Sequence, residues 1–432
     1  MDQIEPAEAG QVPLTSALRP SSGGGKSARF AFIFVTRVID AIGFGIVMPV
    51  LPRLLLSMGS PNVAAATRTA GYLLALYALC QFVCGPIVGN LSDRFGRRPI
   101  ILFSLFAFGF DYLLMGFAPS IGWLFLGRAV AGIAGAVFVP ANAYVADITP
   151  PAERAKAYGF MGAAFGFGFI LGPVIGGLLG ELGPRAPFFG ASALAIANLI
   201  FGIFVLVESL PPERRRTFDW KRANPLGAAL ALAQFPALIG LAFVLLLNLL
   251  GNNVYPSTWA FFITARFGWP SYMIGLSLAA TGIGMVLTQA FLTGRMVARF
   301  GERRTAIFGL VFATANCLAY ISIPFGWLVF PISFVGGLQA VAFPSLTALA
   351  THQVPETRQG ELQGALASLS SIASIVGPSA MTQTLAHFTA PGASPYFPGA
   401  AFLLAAFLNG LGLFLLVLQI RRINLRAAAV AT

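Results

Sequence analysis

The 432-residue chain is short of charge, histidine and cysteine. Asp, Glu, Lys and Arg make up 10% of it, where soluble domains carry about 25%. Hydrophobic residues make up 57%, and the mean hydropathy is +0.80. Large soluble domains are excluded, and a polytopic membrane protein is indicated. The two histidines, His352 and His387, and 15 acids give no convergent nucleophile, base or metal-ligand set, so neither an enzyme nor a metal site is expected. No Gly-x-x-x-x-Gly-Lys-Ser/Thr phosphate loop is present to drive an ATP-powered pump. Cys80, Cys84 and Cys317 fall inside apolar runs, where thiols pack and imply no disulfide framework. The first 28 residues are polar and Gly/Ser/Pro-bearing, with no apolar core of signal-peptide type.

What the chain has is long apolar runs. A helical crossing needs roughly 20 residues. Twelve runs answer to that, near 31–55, 69–90, 100–117, 121–146, 157–180, 187–208, 237–263, 271–294, 305–323, 325–349, 362–386 and 397–420. They are continuous rather than alternating, which excludes a β-barrel. The fold class predicted is an all-α membrane protein of twelve transmembrane helices.

The net charge of +12 comes from the loops. Arg37 and Arg128 lie inside runs, and Arg53, Arg68, Arg185 and Arg266 occupy loops on one side. All remaining Lys and Arg fall on the other side. Such asymmetry marks the cytoplasmic face, so both termini are expected in the cytoplasm and no nucleic-acid partner is called for.

Residues 209–235 are the only long break, with Pro211-Pro212 and the run Glu213-Arg214-Arg215-Arg216. They read as a cytoplasmic linker between an N-terminal half, 29–208, and a C-terminal half, 236–422, with tails at 1–28 and 423–432. The halves repeat. Arg94-Phe95-Gly96 recurs as Arg299-Phe300-Gly301, Gly172-Pro173 as Gly377-Pro378, and Pro140 as Pro344, at offsets near 205. A period near half the length argues for duplication, as in carriers whose site lies between two repeats.

Ionisable residues inside runs need a reason, since each costs about 2.5–3.5 kcal/mol on insertion scales. Arg37, Asp40, Asp111 and Arg128 all belong to the first half, and the second has no deep carboxylate. Asp40 and Asp111 read as proton carriers, with Arg128 beside them. The alternative is structural pairing, and for Arg37 a pair with Asp40 three residues on is expected. The loop Gly89-Asn90-Leu91-Ser92-Asp93-Arg94-Phe95-Gly96-Arg97-Arg98 joins the second and third runs. Ordinary inside-positive charge explains Arg94, Arg97 and Arg98 but not Asp93, which points to a latch onto neighbouring helix ends. In the fifth run, Gly168, Gly172, Pro173, Gly176 and Gly177 allow close helix approach and a kink. Gln81, Asn142, Asn253 and Gln289 are uncharged polar residues at mid-depth, suited to lining a substrate cavity or to bonding helices together. With 40 Phe, such a cavity suits an amphipathic organic compound better than a bare ion.

These motifs resemble those of the major facilitator superfamily. The loop from Gly89 to Arg98 looks like its signature between spans two and three. Leu126-Gly127-Arg128-Ala129-Val130-Ala131-Gly132 resembles the span-four motif linked to proton coupling, and Gly168 to Gly177 the span-five motif of drug–proton antiporters. From about residue 31 to 385 the chain is similar to the tetracycline–metal efflux antiporters. The resemblance implies a monomeric, proton-driven exporter of a small organic compound in a bacterial inner membrane, without cofactor, its cargo free or metal-chelated. It puts Asp40, Asp111 and Gln81 at substrate- and proton-handling positions, and Arg128, Asp147 and Arg154 in charge networks. Ala313 and Met285 stand where those pumps carry an aspartate and a histidine, and Arg37 replaces an apolar residue. An uptake carrier for a sugar or organic acid is the competing reading of the same fold.

Overall fold

The computed structural model describes residues 23–219, 238–355 and 358–431. Among them, eleven helical stretches are long and apolar enough to cross a bilayer. One of these, Ser271–Ser322, has 52 residues. At 1.5 Å per residue that is about 78 Å, more than twice the hydrocarbon thickness. It is broken at Gly301, whose φ of 76° and ψ of 163° are not helical. The stretch is therefore two crossings, and the total is twelve.

In chain order these are α1 Gly23–Val47, α2 Val63–Phe95, α3 Arg97–Phe117, α4 Ile121–Ile148, α5 Arg154–Leu182 and α6 Ala186–Val205. The second set is α7 Ile239–Phe267, α8 over 271–300, α9 over 302–322, α10 Gly326–Thr351, α11 Gln359–Thr389 and α12 Ala400–Ala431. Several outrun their apolar middles because their ends are tied off by polar groups. Asn62 Oδ1, for example, accepts from Ala65 N at 2.9 Å and starts α2 well before its apolar part.

Prolines explain the irregular helices. The first run does not continue to 55, since α1 ends at Val47 and a short helix, Leu51–Ser57, follows a turn. Pro49 and Pro52 lack the N–H that would carry α1 through. In α4 the helix is interrupted at Ala136 and Val137, where Pro140 supplies no N–H to the Ala136 carbonyl. Its repeat mate Pro344 follows the 3₁₀ stretch Gly337–Val341 in α10. The repeat thus extends to how the helices break.

Both expected tails are partly helical. Helix α1 begins at Gly23 and α12 runs through Ala431, where a run of Ala and Arg, strong helix formers, has no Gly or Pro to stop it. Residues 1–22 lie outside the described residues. So do residues 220–235, the greater part of the expected linker with Lys221 and Arg222.

The apolar cores show how the halves meet. Far from the basic loops, one core joins both halves, with Ile46, Leu54, Leu73 and Phe188 from the first and Trp259, Phe262, Tyr320 and Phe402 from the second. At the basic end there are two separate cores. One holds Phe32, Ile101, Tyr144 and Met161, the other Leu245, Leu310, Leu346 and Leu366. The molecule is closed at the far end and cleft at the basic end.

Helix α5 shows the same gradient along α8, its neighbour in the other half. A Cβ added at Gly177 would stand 2.7 Å from Ser271 O, and one at Gly282 would stand 2.6 Å from Ile170 Cγ1. Nearer the basic end, Gly166 leaves 3.3 Å to Val286, and Gly162 and Gly159 meet nothing within 4 Å. On its other face α5 is pressed against α1. A Cβ at Gly168 would lie 2.6 Å from Ala41 Cβ, one at Gly172 would lie 2.7 Å from Ile42 O, and Gly176 touches Ile46. Pro173 packs its ring on Gly45 of α1 and its carbonyl on Gly275 of α8. The glycine motif therefore lets one helix contact both halves closely.

Candidate functional site

Arg37, Asp40 and Phe44 are spaced three and four residues apart and share one face of α1. Phe44 reaches a cavity between the halves that Arg128, Tyr255 and Trp259 also line. Its volume is ≈ 30 Å³, room for a water but not for the 300–1,000 Å³ or so of a typical ligand pocket. This is the closed floor of the cleft, with Asp40 and Arg37 one and two turns nearer its open end.

The four intramembrane charges are not arranged as two like pairs. Arg128 Nη2 donates to Asp111 Oδ2 at 3.0 Å and contacts Met115 Sδ at 2.8 Å. Asp111 is fully buried, and Gly127 gives its carboxylate room, since a Cβ there would lie 2.6 Å from Oδ1. Asp111 Oδ1 and Arg128 Nε are buried without a hydrogen-bond partner. The expected Arg37–Asp40 ion pair is absent among the described residues. The Arg37 guanidinium instead sits 4.5 Å from the Phe138 ring and 5.2 Å from the Phe165 ring. Two aromatic faces from α4 and α5 attract it away from α1's own carboxylate. Asp40 is left with no hydrogen bond or ion pair among the described residues, though Arg37 and Tyr77 act on it electrostatically.

Tyr77, unmarked as a site residue in the sequence, stands at the centre of this cluster. Arg128 Cζ lies 5.8 Å from its ring centroid, and Gln81 Nε2 reaches its hydroxyl at 3.5 Å and Gly135 O at 3.1 Å. A Cβ at Gly135 would fall 2.6 Å from the Tyr77 hydroxyl. The available signal was spacing, because Tyr77 and Gln81 are four apart on α2 and face the same way.

The remaining polar candidates divide. Asn253 Nδ2 bonds Leu249 O at 2.9 Å and Ala373 O at 3.2 Å, which ties α7 to α11. Asn142 enters through its backbone carbonyl, which accepts from Tyr158 at 3.3 Å. Gln289 is exposed in a π-helical stretch, Thr288–Thr293. It lies one turn beyond Val286, the α8 residue that faces Gly166 of α5. Opposite the charges, the second half offers neutral groups. Asn316 Nδ2 donates to Tyr255 Oη at 2.8 Å, and Tyr255 donates to Gln339 Oε1 at 3.5 Å. Around Tyr255 stand Trp259, Tyr320 and Phe402.

At the basic end, Gly96 (φ 104°) makes the turn between α2 and α3. Arg97 Nη1 meets Asp93 Oδ1 at 2.6 Å and Ser92 Oγ at 2.6 Å, and Arg97 Nε reaches Asp147 Oδ2 on the end of α4 at 3.5 Å. Arg98 Nη2 donates to Ile203 O at 2.9 Å, Arg94 lies over Phe95, and Arg154 Nη2 closes α4 by donating to Ala146 O at 3.1 Å. Gly89 lets α2 approach Val139 of α4, where a Cβ would leave 3.0 Å. Glu208 holds a larger place than the sequence suggested. Its Oε1 accepts from Arg97 N at 2.9 Å and its Oε2 from Arg98 N at 3.2 Å, so it caps α3 from the far end of α6. The start of the linker adds Arg216 N to Asp93 O at 3.0 Å, and Asn90 Nδ2 to Asp219 O at 2.6 Å.

Residues 33–378 and 241–429 match the family model for the Major Facilitator Superfamily. The chain belongs to this superfamily. Among curated relatives of this facilitator, the tetracycline resistance protein, class C, of Escherichia coli is 42% identical over 81% of this chain and 88% of its own length. Multidrug resistance protein 2 of Bacillus subtilis (strain 168) is 31% identical over 81% of this chain and 86% of its own. In structure, the facilitator is similar to a bacterial homolog of the human lysosomal transporter Spinster in an inward-facing, unoccupied conformation. The TM-score is 0.72 at 18% identity, covering 92% of this chain and 96% of that one. At that identity the likeness is one of fold.

Proposed function

We propose that the facilitator is a proton-coupled antiporter that exports an amphipathic organic compound by alternating access. The observation that carries the reading is Asp40, a carboxylate without ion pair or hydrogen bond among the described residues, on the helix face that borders the cleft. Closing a cleft over a bare carboxylate is costly. A proton removes that cost, and so does a cargo group that covers the carboxylate. Either one suffices and the two exclude each other, which is the rule an antiporter needs. Asp111, held by Arg128, lends the site a fixed dipole. Tyr77 stands beside Arg128 and Gln81 near both carboxylates, and Gln289 and Tyr255 border the cargo from the second half. A proton moving down 100 mV supplies about 2.3 kcal/mol, enough for more than a tenfold cargo gradient.

The tetracycline and multidrug resistance relatives support export, with a tetracycline among the first compounds to test, free or metal-chelated. The excess of Lys and Arg at the open end supports a cytoplasmic position for it, with both termini on that side of a bacterial inner membrane. The network around Arg97 acts as the cytoplasmic latch, and a single chain is the working unit.

Everted vesicles from cells expressing the chain test this reading. An inward-acid gradient should drive accumulation of tetracycline or ethidium, and a protonophore should abolish it. Gradient-driven depletion of these probes would reverse the assigned direction and favour the uptake carrier.

A further inference from the structure

The basic end of the second half repeats the latch of the first without its acids. Asp93, Asp147 and Glu208 surround the turn at Gly96. At the offset of 205 Asp93 corresponds to Ala298, and in the register of Pro140 and Pro344 Asp147 corresponds to Thr351, next to His352. At the end of the last helix, where α6 brings Glu208, α12 brings Gln419. At the same offset of 205 Arg94 and Arg98 are kept as Arg299 and Arg303, Arg97 is replaced by Glu302, and Arg304 stands where the first half has Pro99. Glu302 is turned onto His352 Nε2 at 2.9 Å. Arg303 and Arg304 have no ion pair among the described residues.

The vacated space is measurable. A Cβ at Gly96 would collide with Glu208, whereas one at Gly301 would meet nothing within 4 Å. A cavity of ≈ 590 Å³ opens there. Its polar wall carries Arg303, Arg304, Gln419 and the His352–Glu302 pair, and Leu241 and Leu416 stand on its apolar wall. The repeat shows what belongs in such a place. In the first half a carboxylate fills the equivalent position and is held by the start of α3. In the second half the carboxylate at the cavity, Glu302, is engaged by His352 and not by the start of α9.

We propose that this cavity binds a phosphate group from outside the chain, held by Arg303 and Arg304 at the start of α9. Guanidinium groups match phosphate oxygens in pairs. The apolar wall suits the first methylenes of an acyl chain, so an anionic phospholipid headgroup and free inorganic phosphate are the two sources of that chemistry.

The test uses the full chain in nanodiscs of phosphatidylcholine, with or without phosphatidylglycerol, and reads the unfolding midpoint by tryptophan fluorescence. Phosphatidylglycerol, or inorganic phosphate added to the neutral discs, should raise the midpoint by about 3 °C. A response to the lipid alone assigns the headgroup, and a response to phosphate assigns the free anion. Arg303→Gln with Arg304→Gln should lose the response, while Arg214→Gln with Arg358→Gln, which removes the same charge elsewhere, should keep it. Gln419→Glu, which restores the missing acid, should raise the midpoint in neutral discs and lose the response. This variant decides the matter if the double arginine variant does not fold. The proposal is overturned if neither addition shifts the native chain, if both double variants respond alike, or if Gln419→Glu responds like the native chain.

Discussion

In the first half of the molecule the deep polar groups are charged, and each has its own means of being tolerated. Asp111 is paired with Arg128, Arg37 is sandwiched by Phe138 and Phe165, and Asp40 borders the cleft. In the second half the corresponding groups are neutral, with Asn316, Tyr255 and Gln339 bonded in series among aromatic rings. Burial brings carboxylates toward the pH range of a cell and drives phenols away from it, and amides do not titrate. The proposed proton handling therefore falls in one half, and the neutral aromatic wall in the other. The basic ends differ in the same sense, since the first half carries its own acids and the second leaves a cavity in their place.

The sharpest break of this comparison is at Asp40. Asp40→Asn should reduce gradient-driven accumulation to the level of vesicles lacking the protein. Because Asp40 has no ion pair to lose, the unfolding midpoint should stay within about 1 °C, whereas a partnered acid would show a larger shift. Undiminished accumulation by this variant would remove Asp40 from the coupling step.

A second break falls on the buried pair. Arg128→Gln leaves the Asp111 carboxylate buried and alone, and should destabilise by about 3–5 kcal/mol. Removing both charges, with Asp111→Asn added, should recover much of that loss. Additive losses in thermal unfolding would mean that the two side chains act independently.

Much of this was legible before any coordinates. The twelve crossings followed from apolar runs, and the charged cluster at the Gly96 turn from side chains that hydrocarbon cannot hold. Pairings across helices were not legible. Sequence spacing suggested Arg37 with Asp40, because the two share a helix face. The competing partners, Phe138 and Phe165, lie on other helices, and nothing local marks them. Glu208 was hidden for the same reason. It looked like the polar end of a run, and its role depends on a turn more than a hundred residues earlier. Tyr77 resembled any other aromatic residue in an apolar segment until Arg128 and Gln81 were seen beside it.

Glu208 gives the third and smaller effect. Glu208→Gln keeps the side chain's size but loses the charge that accepts two N–H groups at the start of α3. A cost of about 1–3 kcal/mol in stability is expected. Turnover in vesicles should fall severalfold with little change in apparent affinity, since the residue is far from the cavity floor. A pure affinity defect would place Glu208 outside the latch.

The smallest effect should come from Tyr255, and it tests the division of labour most directly. Tyr255→Phe keeps the ring among Trp259, Tyr320 and Phe402, and removes the hydroxyl between Asn316 and Gln339. One good hydrogen bond is lost, at about 1 kcal/mol, and the neighbouring cavity of ≈ 30 Å³ gives a water room to serve Asn316. The midpoint should drop by about 2–4 °C, and cargo affinity should weaken up to tenfold if the hydroxyl borders the cargo. The number of protons taken up per cargo molecule exported should not change, because no group in this chain of bonds exchanges its proton in the cycle. Measuring that ratio alongside affinity separates the halves. A lower ratio in Tyr255→Phe would carry proton handling across the cleft and end the assignment of coupling to the first half.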